Sequence, residues 1–508
     1  MNAETAYLFR HALLRDAAYQ LQLPADRARL HEFAFELVEE IYGGRPEDER
    51  LGTYCIKETK PLAIDDVADE LVFHLRQVLQ SRESAVHLEA ERVYLRRAAE
   101  HSERRFHWKP ALEHWLGLAD RCAKDERAAA LMRAGSVASS LRDGKQALEL
   151  LEKVLAEDAP PDSPLRIAAI GNLARVQLAM ARLDEALNNY QVLAELGARK
   201  GDRLTEARAL SGCGHVHMNA GRAQEAEDCY RRSSQIAKEI GNTRSQGITL
   251  GNLAFLLHKS GRVEEARENY RVALGIHQSL DNRVHVNEVL GNKALLEMEL
   301  GNLETSSESF RRLRADAIEM GDRRLECVAL VNLGAIEVQQ KEPEVAQQLL
   351  VSALAISQEM NWPHLQCHTQ TLLSEVHIAK GSYDMALELA QQAHALGRKY
   401  GYGEGEALAL SCLASANKGA GRSAVAEEHI REAIARADKA RLELLSGQFR
   451  CELALLLVER HQEAGAREAW RQGLSRLHKF GNSASTGELE RRMKESCTQA
   501  GIAALDQE

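Results

Sequence analysis

The chain has no apolar run near the roughly 18 residues a membrane-crossing helix needs, and no secretory leader opens it. A cytoplasmic protein with no membrane partner is expected. Cysteine is sparse and scattered, at 55, 122, 213, 229, 327, 367, 412, 451 and 497, with no C-x-x-C pair. That pattern excludes a disulfide framework and suits small core residues in a reducing compartment. Aromatic residues are 5% and prolines number nine, the mark of a helical, Ala/Leu-rich chain. No G-x-x-x-x-G-K-[ST] loop is present to cradle nucleotide phosphates. G-x-S-x-G, H-E-x-x-H and a kinase-type loop are also missing, so no catalytic residue, no enzyme activity and no cofactor is expected. A net charge of −10 argues against nucleic acid or an anionic membrane as the main partner.

What is present is repetition. From about Leu165 to Gly481 the chain returns to the same chemistry every 40 residues. One small-residue column runs Ala174, Gly214, Ala254, Ala294, Gly334, Ser374, Ala414, Ala454, and a second runs Ala186, Ala226, Ala266, Ser306, Ala346, Ala386, Ala426, Ala466. A third, bulky in all but one copy, runs Tyr190, Tyr230, Tyr270, Phe310, Leu350, Ala390, Ile430, Trp470. Fixed-period self-similarity of this kind marks a solenoid. Apolar residues recur at helical spacing in each unit, as Leu253, Leu256, Leu257 and then Ala266, Tyr270, Ala273, Leu274, which predicts two helices, A and B. Gly221, Gly261, Gly301, Gly381 and Gly421 open the turn between them. Gly-Asp, Gly-Asn or Asp-Asn pairs at 201, 241, 281, 321 and 481 predict a left-handed helix end followed by an N-cap.

The spacing of Gly334, Ala346, Leu350 and Ala353, and of Ala254, Ala266, Tyr270 and Ala273, resembles the tetratricopeptide repeat. The 40-residue unit departs from the commoner 34 and is similar to the repeats of LGN-type and kinesin-light-chain adaptors and of bacterial signalling proteins. The resemblance implies an all-α, tetratricopeptide-type α-solenoid, a right-handed superhelix of helix hairpins, with A helices lining a concave groove. The domains expected are a helical segment at 1–42, a loop or linker at 43–64, degenerate repeats at 65–158, the regular array at 159–482, and a capping helix with tail at 483–508. Ala99 with Ala111, and Gly135 with Ala147, fill the two small columns of the degenerate repeats.

The N-terminal segment carries a second resemblance. Phe9, Arg10, His11, Ala12, Leu13, Arg15, Asp16, Ala17, Ala18 and Tyr19, then Arg27, Leu30 and His31, match the end of the winged-helix domain in STAND-class signalling ATPases. The likeness extends through Asp69–Ala119. Without a phosphate loop the chain cannot hydrolyse ATP by that mechanism. It is expected to be either part of a larger ATPase or a sensor arm without its engine, and association with an ATPase, cyclase or kinase module follows.

Two residues before each small A-helix position the chain reads Asn172, Gly212, Asn252, Asn292, Asn332, Leu372, Cys412, Glu452. Asparagine is a mediocre helix former, and a carboxamide both donates and accepts. The resembling adaptors use such a row on extended peptides, which implies a protein or peptide partner held at Asn172, Asn252, Asn292 and Asn332. The same row could serve packing alone, each Asn bonding the preceding helix or water. Arg175, Arg208, His215, Glu288, Glu375 and His368 should face the groove or its rim, where they would set charge preference or, as for most single surface charges, simply form a solvated face. His364, Cys367 and His368 share a helix face at i, i+3, i+4, but no second ligand pair accompanies them, so no metal site is expected.

Overall fold

The computed structural model describes residues 19, 22–47, 60–82, 84–141, 143–156, 160, 162–478, 484–503 and 505. Residues 7–18 of the STAND-like segment, residues 48–59 of the expected linker and Cys55 lie outside the described residues. The described residues hold 23 α-helices, one 3-10 turn and no strand. They fall into two compact units, Met1–Asn242 and Thr243–Glu508.

The first unit contains α1 (Pro24–Ile41), the 3-10 turn (Ala63–Val67), α2 (Ala68–Ser81), α3 (Ala85–Arg104), α4 (Trp108–Arg121), α5 (Lys124–Ser140), α6 (Gly144–Ala156), α7 (Pro164–Ala179), α8 (Leu183–Lys200), α9 (Arg203–Asn219) and α10 (Ala223–Glu239). The second contains α11 (Thr243–Lys259), α12 (Val263–Ser279), α13 (Arg283–Glu299), α14 (Leu303–Met320), α15 (Arg323–Gln339), α16 (Pro343–Glu359), α17 (Pro363–Ala379), α18 (Tyr383–Lys399), α19 (Gly403–Gly419), α20 (Ser423–Lys439), α21 (Glu443–Glu459), α22 (Glu463–Leu477) and α23 (Ala484–Ala500).

The backbone has a shorter period than the side chains. From Ala181 to His461 a residue with left-handed φ recurs every 20 positions, at Gly201, Gly221 and Gly241 and on through Gly421 and Arg441. Glycine takes this conformation freely, yet Ala181, Asp281, Lys341, Asn361, Arg441 and His461 adopt it too, with φ between 48° and 63°. All but Gly201 close a helix as a Schellman turn. At Gly241, for example, Asn242 N–H reaches the Ala237 carbonyl at 2.9 Å and Gly241 N–H the Lys238 carbonyl at 3.1 Å. Asp202, Asn282 and Asp322 then cap the next helix, accepting from the backbone of Thr205, His285 and Leu325.

The small columns exist because the bulky column rests on them. A Cβ at Gly214 would lie 2.6 Å from the Tyr230 ring, and one at Gly334 would lie 2.6 Å from Leu350. Ser306 and Ser374 instead donate to the Ala294 and Ala386 carbonyls at 2.8 Å. Trp115 and Leu151, four residues after Ala111 and Ala147, extend the bulky column into the degenerate repeats and are fully buried. One apolar cluster runs from Phe35 through Leu151 to Val176, across the proline-bearing segment before α7. At the other end Leu489, Met493 and Cys497 of α23 pack onto the cluster built by α21 and α22.

B helices meet the next A helix even more closely. A Cβ at Gly197 would sit 2.6 Å from the Glu206 backbone nitrogen and 3.0 Å from the Asp202 carbonyl oxygen, neither of which can rotate away. Gly197→Ala is therefore expected to destabilise the first unit by about 1–3 kcal/mol, read as a lower thermal midpoint. Gly275→Ala, where nothing lies within 4 Å, is the matched control and should stabilise its helix by up to about 1 kcal/mol.

Candidate functional site

Within each unit the A helices form the inner side of the stack. Several consecutive A helices pack directly against each other, α5 with α7 and α7 with α9 in the first unit, and α11 with α13, α15 with α17 and α17 with α19 in the second, whereas α13 with α15 and α19 with α21 do not meet to that extent. Contacts of that extent join no consecutive B helices. A stack whose A helices converge is curved toward them, so the shared A-helix face is the concave one.

In the first unit the residues expected on that face are Asn172, Arg175, Arg208 and His215. Asn172 is half-buried on α7, and its Oδ1 accepts from Arg175 Nη2 at 3.2 Å. The same guanidinium reaches Ser136 Oγ on α5 at 3.3 Å. Arg208 is exposed on α9, and His215 is half-buried with its ring edge-on to Tyr230 at 5.6 Å. The gap in the asparagine row at Gly212 has a steric cause: a Cβ there would lie 2.4 Å from the Tyr190 ring, which fills the slot.

In the second unit Asn252, Asn292 and Asn332 sit half-buried on α11, α13 and α15. They are not equivalent. Asn332 Nδ2 donates to the Val328 carbonyl of its own helix at 2.9 Å. Asn252 Nδ2 is buried and has no hydrogen-bond partner. A buried donor without a partner costs about 1–3 kcal/mol.

Farther along the same face the row turns from amide to acid. Glu452 on α21 acts electrostatically on Glu375 on α17 from two hairpins away, with the buried Cys412 thiol of α19 beside Glu375. Burial, then the Glu452 charge, push the Glu375 carboxyl from the usual 4.5 to about 7. Burial also raises Glu452, opposed by Arg492 of α23, 3.9 Å away, and by Lys418. Burial lowers the His368 imidazole on α17. The coupling of Glu375 to Glu452 has no signal in the sequence, because it depends on the curvature that brings the two helices together.

Between pH 4.5 and about 7 the folded chain holds a proton on Glu375 that the unfolded chain has released. Stability therefore falls as pH rises through that window, and the ionised carboxylate is unfavourable above it. Glu375→Gln should raise the thermal midpoint at pH 8 more than at pH 5; an equal shift at both would show that this carboxyl is not perturbed.

His364, Cys367 and His368 do not converge. Cys367 Sγ donates to the Ala393 carbonyl at 3.3 Å, and the His364 ring stands edge-on to Tyr402 at 4.8 Å. Among the described residues no group of three or more His, Cys, Asp or Glu is placed to hold a metal ion. No described helix is long and apolar enough to cross a membrane.

Hairpins stacked at a fixed period, with small columns under a bulky one and an inner A-helix face, define an all-α solenoid. The tetratricopeptide repeat family matches residues 205–279 of it. No curated protein matches the chain in sequence. Solved structures share the arrangement. The apo form of RapI is 15% identical with a TM-score of 0.52, covering 70% of this chain and 98% of that one. A Rap protein complexed with competence and sporulation factor is 13% identical with a TM-score of 0.52, covering 72% and 99%. The apo form of the quorum sensor NprR from B. thuringiensis is 14% identical with a TM-score of 0.52, covering 74% and 99%. At these identities the likeness is one of fold.

Proposed function

We propose that the chain is a non-enzymatic interaction scaffold in bacterial signalling, holding an extended peptide or a partner's helix on its inner A-helix face. The observation that carries this reading is the Asn252 amide, buried without an acceptor in a row of carboxamides that recurs every 40 residues. Turned outward, the half-buried Asn252 side chain would meet that acceptor in a peptide carbonyl laid along α11, α13 and α15, and Asn292 and Asn332 offer the same chemistry one and two hairpins on. Glu375 and Glu452 give the face of the second unit a preference for cationic over anionic segments. In the first unit Arg175, Arg208 and His215 give the opposite preference. The fold is one on which a Rap protein holds competence and sporulation factor.

The test is capture of partners from lysate by the chain and by its Asn252→Ala, Asn292→Ala, Asn332→Ala variant, identified by mass spectrometry. A partner lost by the variant supports the reading, and undiminished capture by the variant overturns it. A second reading, a sensor or regulatory arm of a STAND-type ATPase or cyclase-linked regulator answering to a protein or small-molecule ligand, is favoured by the match over residues 9–19. Retention of a P-loop ATPase or a cyclase by both proteins would favour it.

A further inference from the structure

His277 breaks the column it stands in. The equivalent B-helix positions of the second unit hold Ala317, Ser357, Gly397, Ala437 and, at the end, Leu477. They are mostly small because the next A helix presses on them: a Cβ at Gly397 would lie 2.8 Å from the Glu406 backbone nitrogen. His277 is nonetheless completely buried on α12. Space for its ring comes from Gly247 on α11, where a Cβ would lie 2.9 Å from His277 Cε1 and 2.7 Å from Ile276. The other bulky member of the column, Leu477, likewise faces a glycine, Gly447, where a Cβ would lie 3.1 Å away. Elsewhere the facing pair is small or moderate on both sides, as in Ala407 with Ala437.

The wedge is polar and poorly satisfied. Neither imidazole nitrogen of His277 makes a well-formed hydrogen bond, and the Gly247 backbone is the one polar group of α11 that acts on the ring at close range. From α13 the His285 ring lies over it, centroids 5.0 Å apart and tilted 47°. Asn287, also on α13 and buried, leaves its Oδ1 unbonded, and its amide reaches only Met320 Sδ at 3.8 Å. The charged and titratable groups facing His277 are Arg244 from α11 and His285 and Glu288 from α13. Glu288 is turned to His285, its Oε2 3.1 Å from His285 Nδ1.

We propose that this wedge is a proton-operated joint: neutral His277 lets α11, α12 and α13 close on one another, and its protonation loosens the packing between this hairpin and the next. Burial, then the His285 and Arg244 charges, hold the imidazole below its ordinary 6.5, while the Gly247 backbone and Glu288 oppose them. In the opened joint the ring titrates at its ordinary value. The closed joint is thus at full strength above pH 6.5 and weakens as pH falls below it. Asn252 and Asn292 stand on the two A helices that flank the joint, so opening it changes their spacing. That last link rests on the proposed peptide-binding reading; the joint itself does not.

Hydrogen exchange on the full chain between pH 8 and pH 5.5, corrected for intrinsic exchange, tests it. Protection in α12 and α13 should fall on acidification, about tenfold for each unit between the closed and open pKa values. Protection in α15 and α16, which contain no histidine, should not. The paired change Gly247→Ala with His277→Ala recreates the Ala407/Ala437 arrangement and should abolish the local effect. His285→Ala, which removes a neighbouring positive charge and leaves the wedge, should reduce it. Protection in α12 and α13 that is indifferent to pH, or an undiminished loss in the paired variant, overturns the proposal. Loss of partner binding at low pH without a change in exchange would point to the groove and not the joint.

Discussion

Replacing Asn252, Asn292 and Asn332 together by alanine is expected to weaken binding of the captured partner about a hundredfold, with the helices intact. Each carboxamide that bonds a peptide group contributes about 1 kcal/mol net, so three contribute about 3 kcal/mol, or about two orders of magnitude in Kd. The single variants should not be equal. Asn332 already donates to the Val328 carbonyl, so Asn332→Ala should have less effect than Asn252→Ala, whose amide has no partner in the free chain. Asn252→Leu separates binding from packing. Removing a buried, unbonded donor should raise the thermal midpoint while binding falls, whereas a residue that only packed would lower both or neither. Calorimetric titration with circular dichroism as control decides it; a loss smaller than about tenfold in the triple variant would reject the carboxamide row.

Trp115→Ala is expected to lower the stability of the first unit by about 3–5 kcal/mol, the range for deleting a fully buried large aromatic. Trp115 is 0% exposed, donates through Nε1 to Glu103 and has the Arg133 guanidinium 5.3 Å from its ring centroid. Its loss opens a cavity in the cluster that joins the degenerate repeats to Val176, and leaves a raised, half-buried Glu103 carboxyl with one partner fewer. Chemical denaturation should show the change as a lower midpoint, with Phe33→Ala, on an exposed side chain, shifting it little. A loss under about 1 kcal/mol would mean the degenerate repeats contribute little to that unit.

The columns were readable because each reports one contact repeated. Ala266 four residues before Tyr270 predicts a close hairpin, and the Tyr230 ring against Gly214 shows the contact itself. The caps at Asp202 and Asp322 were equally legible. Three things were not. The left-handed residues at Lys341 and Arg441 carry no glycine to announce them, and two packed helices fix the backbone there. The fate of each asparagine was hidden as well, because whether an amide turns to its own helix, as at Asn332, is a rotamer choice and not a matter of spacing. Arg175 belongs with these: its guanidinium is engaged by Asn172 and Ser136, so it is tethered and not simply offered to a ligand.

The left-handed residue at every twentieth position has a consequence for how such a chain can lengthen or shorten. From α8 to α21 it cuts the helices to 17 or 18 residues, so that part of the stack is indexed by whole hairpins. Removing Arg323–Trp362 would fuse a B helix to an A helix and leave every column in register. Removing only Arg323–Glu342 would place a B sequence where an A helix belongs, turning its binding face outward and its small residues away from their partners. The array can be edited in steps of 40 residues and not of 20.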